Sequence, residues 1–177
     1  DAVMLSGETA VGKYPVVAVD TMRRVALATE RSMREGSAES TPPARLREQK
    51  QNIPALAPGA WHMCRDTGAK VIVVWAEHGG TARFLSRNNF DVPIVAYSSD
   101  IRSVRRMNML YAVTPVHCAD VPHHRSEFAR RVDRLVIDRG LVERGDVMIL
   151  LGGKPLDQPG STNTIAIRYA GELLASE

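Results

Sequence analysis

The chain has 177 residues, 44% of them hydrophobic and 24% charged, with a formal charge of +3. This is the composition of a globular protein able to bury a core, with room for one ordinary domain and an appendage. So small a basic surplus makes no case for a nucleic-acid face, and the longest apolar runs, 71–76 and 147–151, fall far short of the ~20 residues of a membrane span.

The opening, DAVMLSGETAVGKYP, starts in mid-element. Residues 1–5 have the apolar content of a strand, Ser6-Gly7 breaks it, and Gly12 to Pro15 form a turn. From Pro15, apolar side chains at Val16, Val19, Met22, Val25 and Ala26 follow the helical period, and Gly36 suits the end. Residues 36–51, with Pro42-Pro43 and many Ser, Glu, Arg and Gln, form a linker. A helix follows, but Pro58-Gly59 would cost about 3–4 kcal/mol in its interior. Its regular part is therefore expected to begin near Pro58, or to kink there, and to end at Gly68.

Residues 70–76 form an apolar run, as expected of a strand buried on both faces. A helix over 81–87, a strand over 93–97 and a helix through Leu110, with N-cap chemistry offered by Ser98-Ser99-Asp100, come next. The arginines at 102, 105 and 106 form its solvated face. Residues 113–117 are a short strand, 126–139 a helix closed by Gly140, and 146–151 and 163–168 two further strands. The alternation predicts a three-layer α/β/α sandwich with a mostly parallel sheet, and the last two strands an antiparallel hairpin at one edge.

Two loops have the composition of ligand sites. Residues 76–82, AEHGGTA, follow a buried strand and open a helix, the position at which open α/β sheets bind ligands. Gly79 and Gly80 allow close backbone approach and Thr81 adds a hydroxyl, although the same glycines would serve a tight turn without any ligand. Glu77 opposes an anion there. A like charge 4 Å from a phosphate costs on the order of 4 kcal/mol at intermediate dielectric, before His78 or an outward rotation relieves it. Residues 152–163, GGKPLDQPGSTN, carry a cation and hydroxyls between the last two strands but lack the order of a P-loop. His123, His124 and Arg125 diverge too much to share a metal. Ser6, His62 and Asp66 lack the framing of a hydrolase triad. Cys64 and Cys118 stand alone, as free thiols do in a reducing cytosol, and no signal-peptide pattern opens the chain. No metal site is expected, and a soluble, cytoplasmic protein is.

Four segments together resemble the pyruvate kinase family: residues 1–15, GGTARFLSR at 79–87 with DVPIVA at 91–96, RMNMLYAVTPV at 106–116, and GDVMILLGG at 145–153 with PGSTNTI at 159–165. The resemblance implies that residues 1–35 are the last strand and helix of a catalytic (β/α)8 barrel, 36–51 a linker, and 52–177 the C-terminal allosteric α/β domain. It implies a parent enzyme of glycolysis, a homo-oligomer, that transfers phosphoryl from phosphoenolpyruvate to ADP, giving pyruvate and ATP, with magnesium and potassium. Ser6, Glu8 and Thr9 would lie at the edge of that site. The catalytic residues and metal ligands would belong to segments absent here, leaving this chain inactive alone and without a cofactor of its own. Its effector site would comprise His78, Gly79, Gly80, Thr81, Lys154, Gly160, Ser161 and Thr162. Ala76 and His78 replace the hydroxyl residues common in the family, and Glu77 adds a charge. A sugar monophosphate or nucleoside monophosphate is therefore as plausible as no effector, with fructose bisphosphate bound weakly or not at all. Beyond an effector, the resemblance implies the rest of the enzyme chain as partner, and neither nucleic acid nor membrane. The alternative is an independent module of the same fold that binds a phosphorylated small molecule.

Overall fold

A computed structural model describes residues 2–36, 52–88, 90, 92–122, 124–153 and 162–174. The chain divides into two compact units, Asp1–Thr41 and Pro42–Glu177. The linker expected over 36–51 lies, after Gly36, outside the described residues.

In the first unit, residues 2–6 have no regular structure. Residues 2–5, strand-like in their apolar content, do not keep strand form, because a strand needs a neighbour to take its backbone N–H and C=O groups. The described elements here are both helical: α1 (Gly7–Ala10) and α2 (Pro15–Gly36). The Ser6 carbonyl accepts the Ala10 N–H at 2.9 Å and so closes the α1 turn. Gly12 is obligatory in the connection, since a Cβ there would collide with the Glu8 carbonyl. Pro15 opens α2, where its missing N–H costs nothing. The apolar side chains of this helix remain exposed within the unit, Val16 at 80% and Val25 at 56%.

The second unit begins with α3 (Asn52–Thr67), which runs unbroken through Pro58. The expected start near Pro58 is thus corrected: the helix begins at Asn52. Ala57, Ala60, Trp61 and Cys64 are buried along this helix, and that burial offsets the backbone bond that Pro58 cannot make. Gly68, at φ +66°, then ends the helix. There follow β1 (Val71–Trp75), α4 (Gly80–Ser86), β2 (Ile94–Ser98), α5 (Ile101–Met107), β3 (Val113–His117), α6 (Arg125–Asp138), β4 (Val147–Gly153) and β5 (Thr162–Tyr169).

The sheet order is β3-β2-β1-β4-β5. The first four strands pair in parallel, and β5 is antiparallel to β4. This is the three-layer architecture expected, with the hairpin at one edge. Strand alternation builds its two cores. Ile72, Val74, Ile94, Ala96, Ile149 and Leu151 face one cluster with α3, α4 and α5. Val71, Val73, Trp75, Val95, Tyr97, Met148 and Leu150 face the other, with α6. There the Phe128 ring meets Trp75 edge-on at 5.5 Å and Tyr97 at 5.2 Å. Cys64 is buried in the first cluster, which pushes its thiol up to about 12.

The end of the described chain is tied to α6 by one buried carboxylate. Asp133 is fully buried. Its Oδ2 accepts the Leu173 N–H at 3.3 Å and lies 3.6 Å from Arg168 Nη2. Burial raises the Asp133 carboxyl above its ordinary value, against the lowering by the Leu173 N–H and Arg168.

Candidate functional site

The chain order places the candidate site. From β1 the chain winds outward to β2 and β3, then returns across the sheet to β4 on the other side of β1. β1 and β4 are therefore the strands at which the winding reverses, and the crevice beyond their carboxyl ends is where open α/β sheets place ligands. Two described segments meet there: residues 76–81 after β1, and Thr162 at the start of β5.

Residues 76–80 form a tight turn with its own supports. The Ala76 N–H donates to Tyr97 O at 2.8 Å and continues the ladder one residue beyond β1. The Gly79 N–H then closes on Ala76 O at 2.8 Å. Gly79 has φ +76°, and a Cβ there would stand 3.1 Å from Met107 Cγ. Only glycine satisfies both the conformation and the approach. Gly80 is different: a Cβ there would meet nothing within 4 Å, and the residue is exposed. His78 is exposed beside it.

Glu77 does not project into the crevice as an isolated charge. Its carboxylate accepts the Ser99 N–H at 3.2 Å and the Ser99 hydroxyl, while its carbonyl accepts the Ser98 hydroxyl at 2.7 Å. Ser98 Oγ also accepts the Asp100 N–H at 3.0 Å, and Asp100 caps α5 by accepting the Arg102 N–H at 2.9 Å. His117 Nε2 lies 3.1 Å from Ser99 O. The ends of β1, β2 and β3 are thus braced together through Glu77 and Ser99. Sequence reasoning recognised Ser98-Ser99-Asp100 as a cap but not as this brace, because a contact across 22 positions leaves no local periodicity.

The second segment reaches the first through hydroxyls. Thr81 and Thr162, each 5% exposed, place their Oγ1 atoms 2.9 Å apart, joining the start of α4 to the start of β5 across 81 positions. A pair of hydroxyls sharing one hydrogen bond uses one proton, so the other remains available to a further acceptor. Gly152 and Gly153 are buried at the end of β4, where the register with β5 shifts, and Thr164 donates to Gly152 O at 2.9 Å. Of the expected site residues, His78, Gly79, Gly80, Thr81 and Thr162 come together here. Lys154, Gly160 and Ser161 lie outside the described residues, as does His123.

The residues expected at a catalytic edge belong to the first unit. The Ser6 N–H donates to Glu8 Oε2 at 3.1 Å, and Thr9 Oγ1 donates to Ser6 O at 3.2 Å. The backbone N–H groups of Glu8 and Ser6 hold the Glu8 carboxyl below its ordinary value. All these groups are used locally, capping the α1 turn. Among the described residues, no three His, Cys, Asp or Glu side chains gather as a metal would require. No helix among them is long and apolar enough to cross a membrane.

Known proteins share this arrangement. The family described as "Pyruvate kinase, alpha/beta domain" matches residues 54–168. A pyruvate kinase of Sporosarcina psychrophila is 33% identical over 99% of this chain and 29% of its own length. One of Mycobacterium intracellulare is 32% identical over 97% of this chain and 35% of its own length. A crystal structure of a pyruvate kinase from Cryptosporidium parvum superposes with a TM-score of 0.76 at 26% identity, over 95% of this chain and 32% of that one. The chain thus spans about a third of the length of the relatives it matches. With its five-stranded α/β unit and the match over residues 54–168, the chain belongs to the pyruvate kinase family, and that region is the family's C-terminal α/β domain.

Proposed function

We propose that this chain is the regulatory end of an enzyme that transfers phosphoryl from phosphoenolpyruvate to ADP, and that its winding-reversal crevice binds a phosphorylated small molecule. The 2.9 Å contact of Thr81 with Thr162 carries the effector reading, because it brings one hydroxyl from each ligand-type segment to one point. Gly80 supports it: neither φ nor crowding demands glycine there, and a bare backbone lets an anion approach closely. Lys154, Gly160 and Ser161 would complete the site by the family resemblance.

Residues 1–35 would be the last strand and helix of the parent's barrel. Val3, Met4, Val11 and Val16 are 69%, 86%, 88% and 80% exposed, an apolar surface that calls for a covering neighbour. Magnesium and potassium would serve the parent's chemistry on its earlier barrel strands, as the family resemblance implies. A cytoplasmic homo-oligomer is the accompanying proposal. The β5 edge supports assembly, with Ile167 45% and Tyr169 54% exposed on the outermost strand of the sheet.

The test is calorimetric titration of the chain with glucose 6-phosphate, AMP and fructose 1,6-bisphosphate. One monophosphate is expected to bind, more weakly in Thr81→Val, with the bisphosphate weak or absent. Glu77→Gln removes the charge while its amide oxygen accepts the Ser99 N–H and its NH2 donates to the Ser99 hydroxyl oxygen, and should tighten phosphate binding about fivefold, the ~1 kcal/mol of a charge acting through solvent. Micromolar fructose bisphosphate binding indifferent to Glu77 would refute the specificity reading. Silence toward all three ligands would refute the effector reading. Assay with phosphoenolpyruvate and ADP is expected to show no turnover by this chain alone.

A further inference from the structure

At the opposite end of the sheet, a cleft of about 500 Å3 lies between the end of α3 and the approaches to β1 and β2. This volume is in the range of small-molecule sites. Its walls are apolar and include two aromatic rings, Trp61 and Phe90, with Ala69 and Pro93 beside them. Two cations stand at its mouth. The Arg65 guanidinium lies over the Trp61 ring, 5.3 Å from the centroid, and exposed Lys70 follows the left-handed Gly68. Lys70 is held in place by its own N–H, which donates to Val147 O at 2.8 Å.

Among the described residues that line the cleft, the charged side chains are both cations. Neither Arg65 nor Lys70 has a carboxylate partner among the described residues. The carboxyl end of α3 brings partial negative charge, but its carbonyls are partly spent. The Ala69 N–H donates to Cys64 O at 3.1 Å and Thr67 Oγ1 to Met63 O at 2.6 Å. Asp66 is exposed and does not line the cleft.

We propose that this cleft is a second small-molecule site, selective for a flat aromatic carboxylate. The aromatic body would lie against Trp61 and Phe90, and the carboxylate would reach Arg65 and Lys70. Arginine presents two parallel N–H donors that match a carboxylate, and its position over an indole leaves that fork preoriented. The site stands apart from the effector crevice because Lys70 and Pro93 precede β1 and β2, whereas residues 76–80 follow β1.

Titration of the chain with 2-naphthoate, read by calorimetry and by the indole Nε1–H resonances of Trp61 and Trp75, tests this. The expected result is saturable binding that moves the Trp61 signal and leaves Trp75 in place, since Trp75 belongs to the cluster on the other face. Neutral 2-naphthalenemethanol and the double variant Arg65→Gln/Lys70→Gln should each weaken binding at least about tenfold. Both side chains are exposed, so the variant is expected to fold, with circular dichroism as the check. Thr81→Val should leave naphthoate binding unchanged. The proposal is overturned if Trp61 does not respond, if the alcohol or the double variant binds as well, or if Thr81→Val abolishes the effect.

Discussion

The Thr81–Thr162 pair shows how a single contact can carry a site. Both hydroxyls are buried, so removing one leaves the other without its partner. Thr81→Val or Thr162→Val alone should destabilise the α/β unit by about 1–3 kcal/mol. The double variant should fall well short of the sum, because no orphaned hydroxyl then remains. Urea unfolding of the four proteins measures the coupling, and strict additivity would mean that the two hydroxyls do not depend on each other. Asp133 supplies a second residue-scale expectation. Its folded carboxyl is raised by burial from the ordinary value of 3.8. Below the unfolded value both states hold the proton. As pH rises above it, the unfolded state ionises first, so the contribution to stability falls until the folded carboxyl has ionised as well, and the loss then persists. Asp133→Asn lacks this fall, so its stability relative to the parent chain should improve from pH 4 to pH 7. The opposite trend would mean that the Arg168 charge outweighs burial.

At the scale of elements, α3 and the opening segment show opposite outcomes of one competition. In α3 the local sequence disfavours helix at Pro58-Gly59, yet packing of Ala57, Ala60 and Trp61 keeps the element continuous. Pro58→Ala should therefore restore a backbone bond without disturbing the packing. A stabilisation of about 1–3 kcal/mol in urea unfolding is expected. A neutral or destabilised variant would show that the ring of Pro58 is itself part of the packing. In residues 2–5 the local pattern favours strand, but among the described residues of the unit no neighbouring strand satisfies its backbone, and the segment is irregular.

The whole molecule divides into a unit that contains both hydrophobic clusters and a shorter one. Both hydrophobic clusters draw all their members from residue 56 onward, so the α/β unit contains a complete core of its own. A chain beginning at Asn52 is expected to unfold in one cooperative transition with a urea midpoint close to that of the α/β unit in the full chain. Loss of cooperativity would show that residues 1–36 contribute to that core. Truncation should also raise solubility, because it removes Val3, Met4, Val11 and Val16 and their exposed apolar surface.

By itself the sequence determined what depends on local pattern. Buried strands appear as the apolar runs at 71–76 and 147–151, helix ends as Gly68 and Gly140, and the β4–β5 hairpin as two strands joined without a helical period. The family motifs located the crevice loops because their glycines and threonines sit at fixed offsets from those strands. Only the tertiary structure decided what depends on partners distant in the chain. Glu77 looked like an isolated charge until the fold brought Ser99 to its carboxylate, and Thr81 and Thr162 met only when β5 returned along β4, beside β1. The cleft at Trp61 had no sequence signature, because Arg65, Lys70 and Phe90 share neither a face nor a period. Hydrogen bonding and charge act over a few ångströms of space, and a short window of sequence records only the neighbours along the chain.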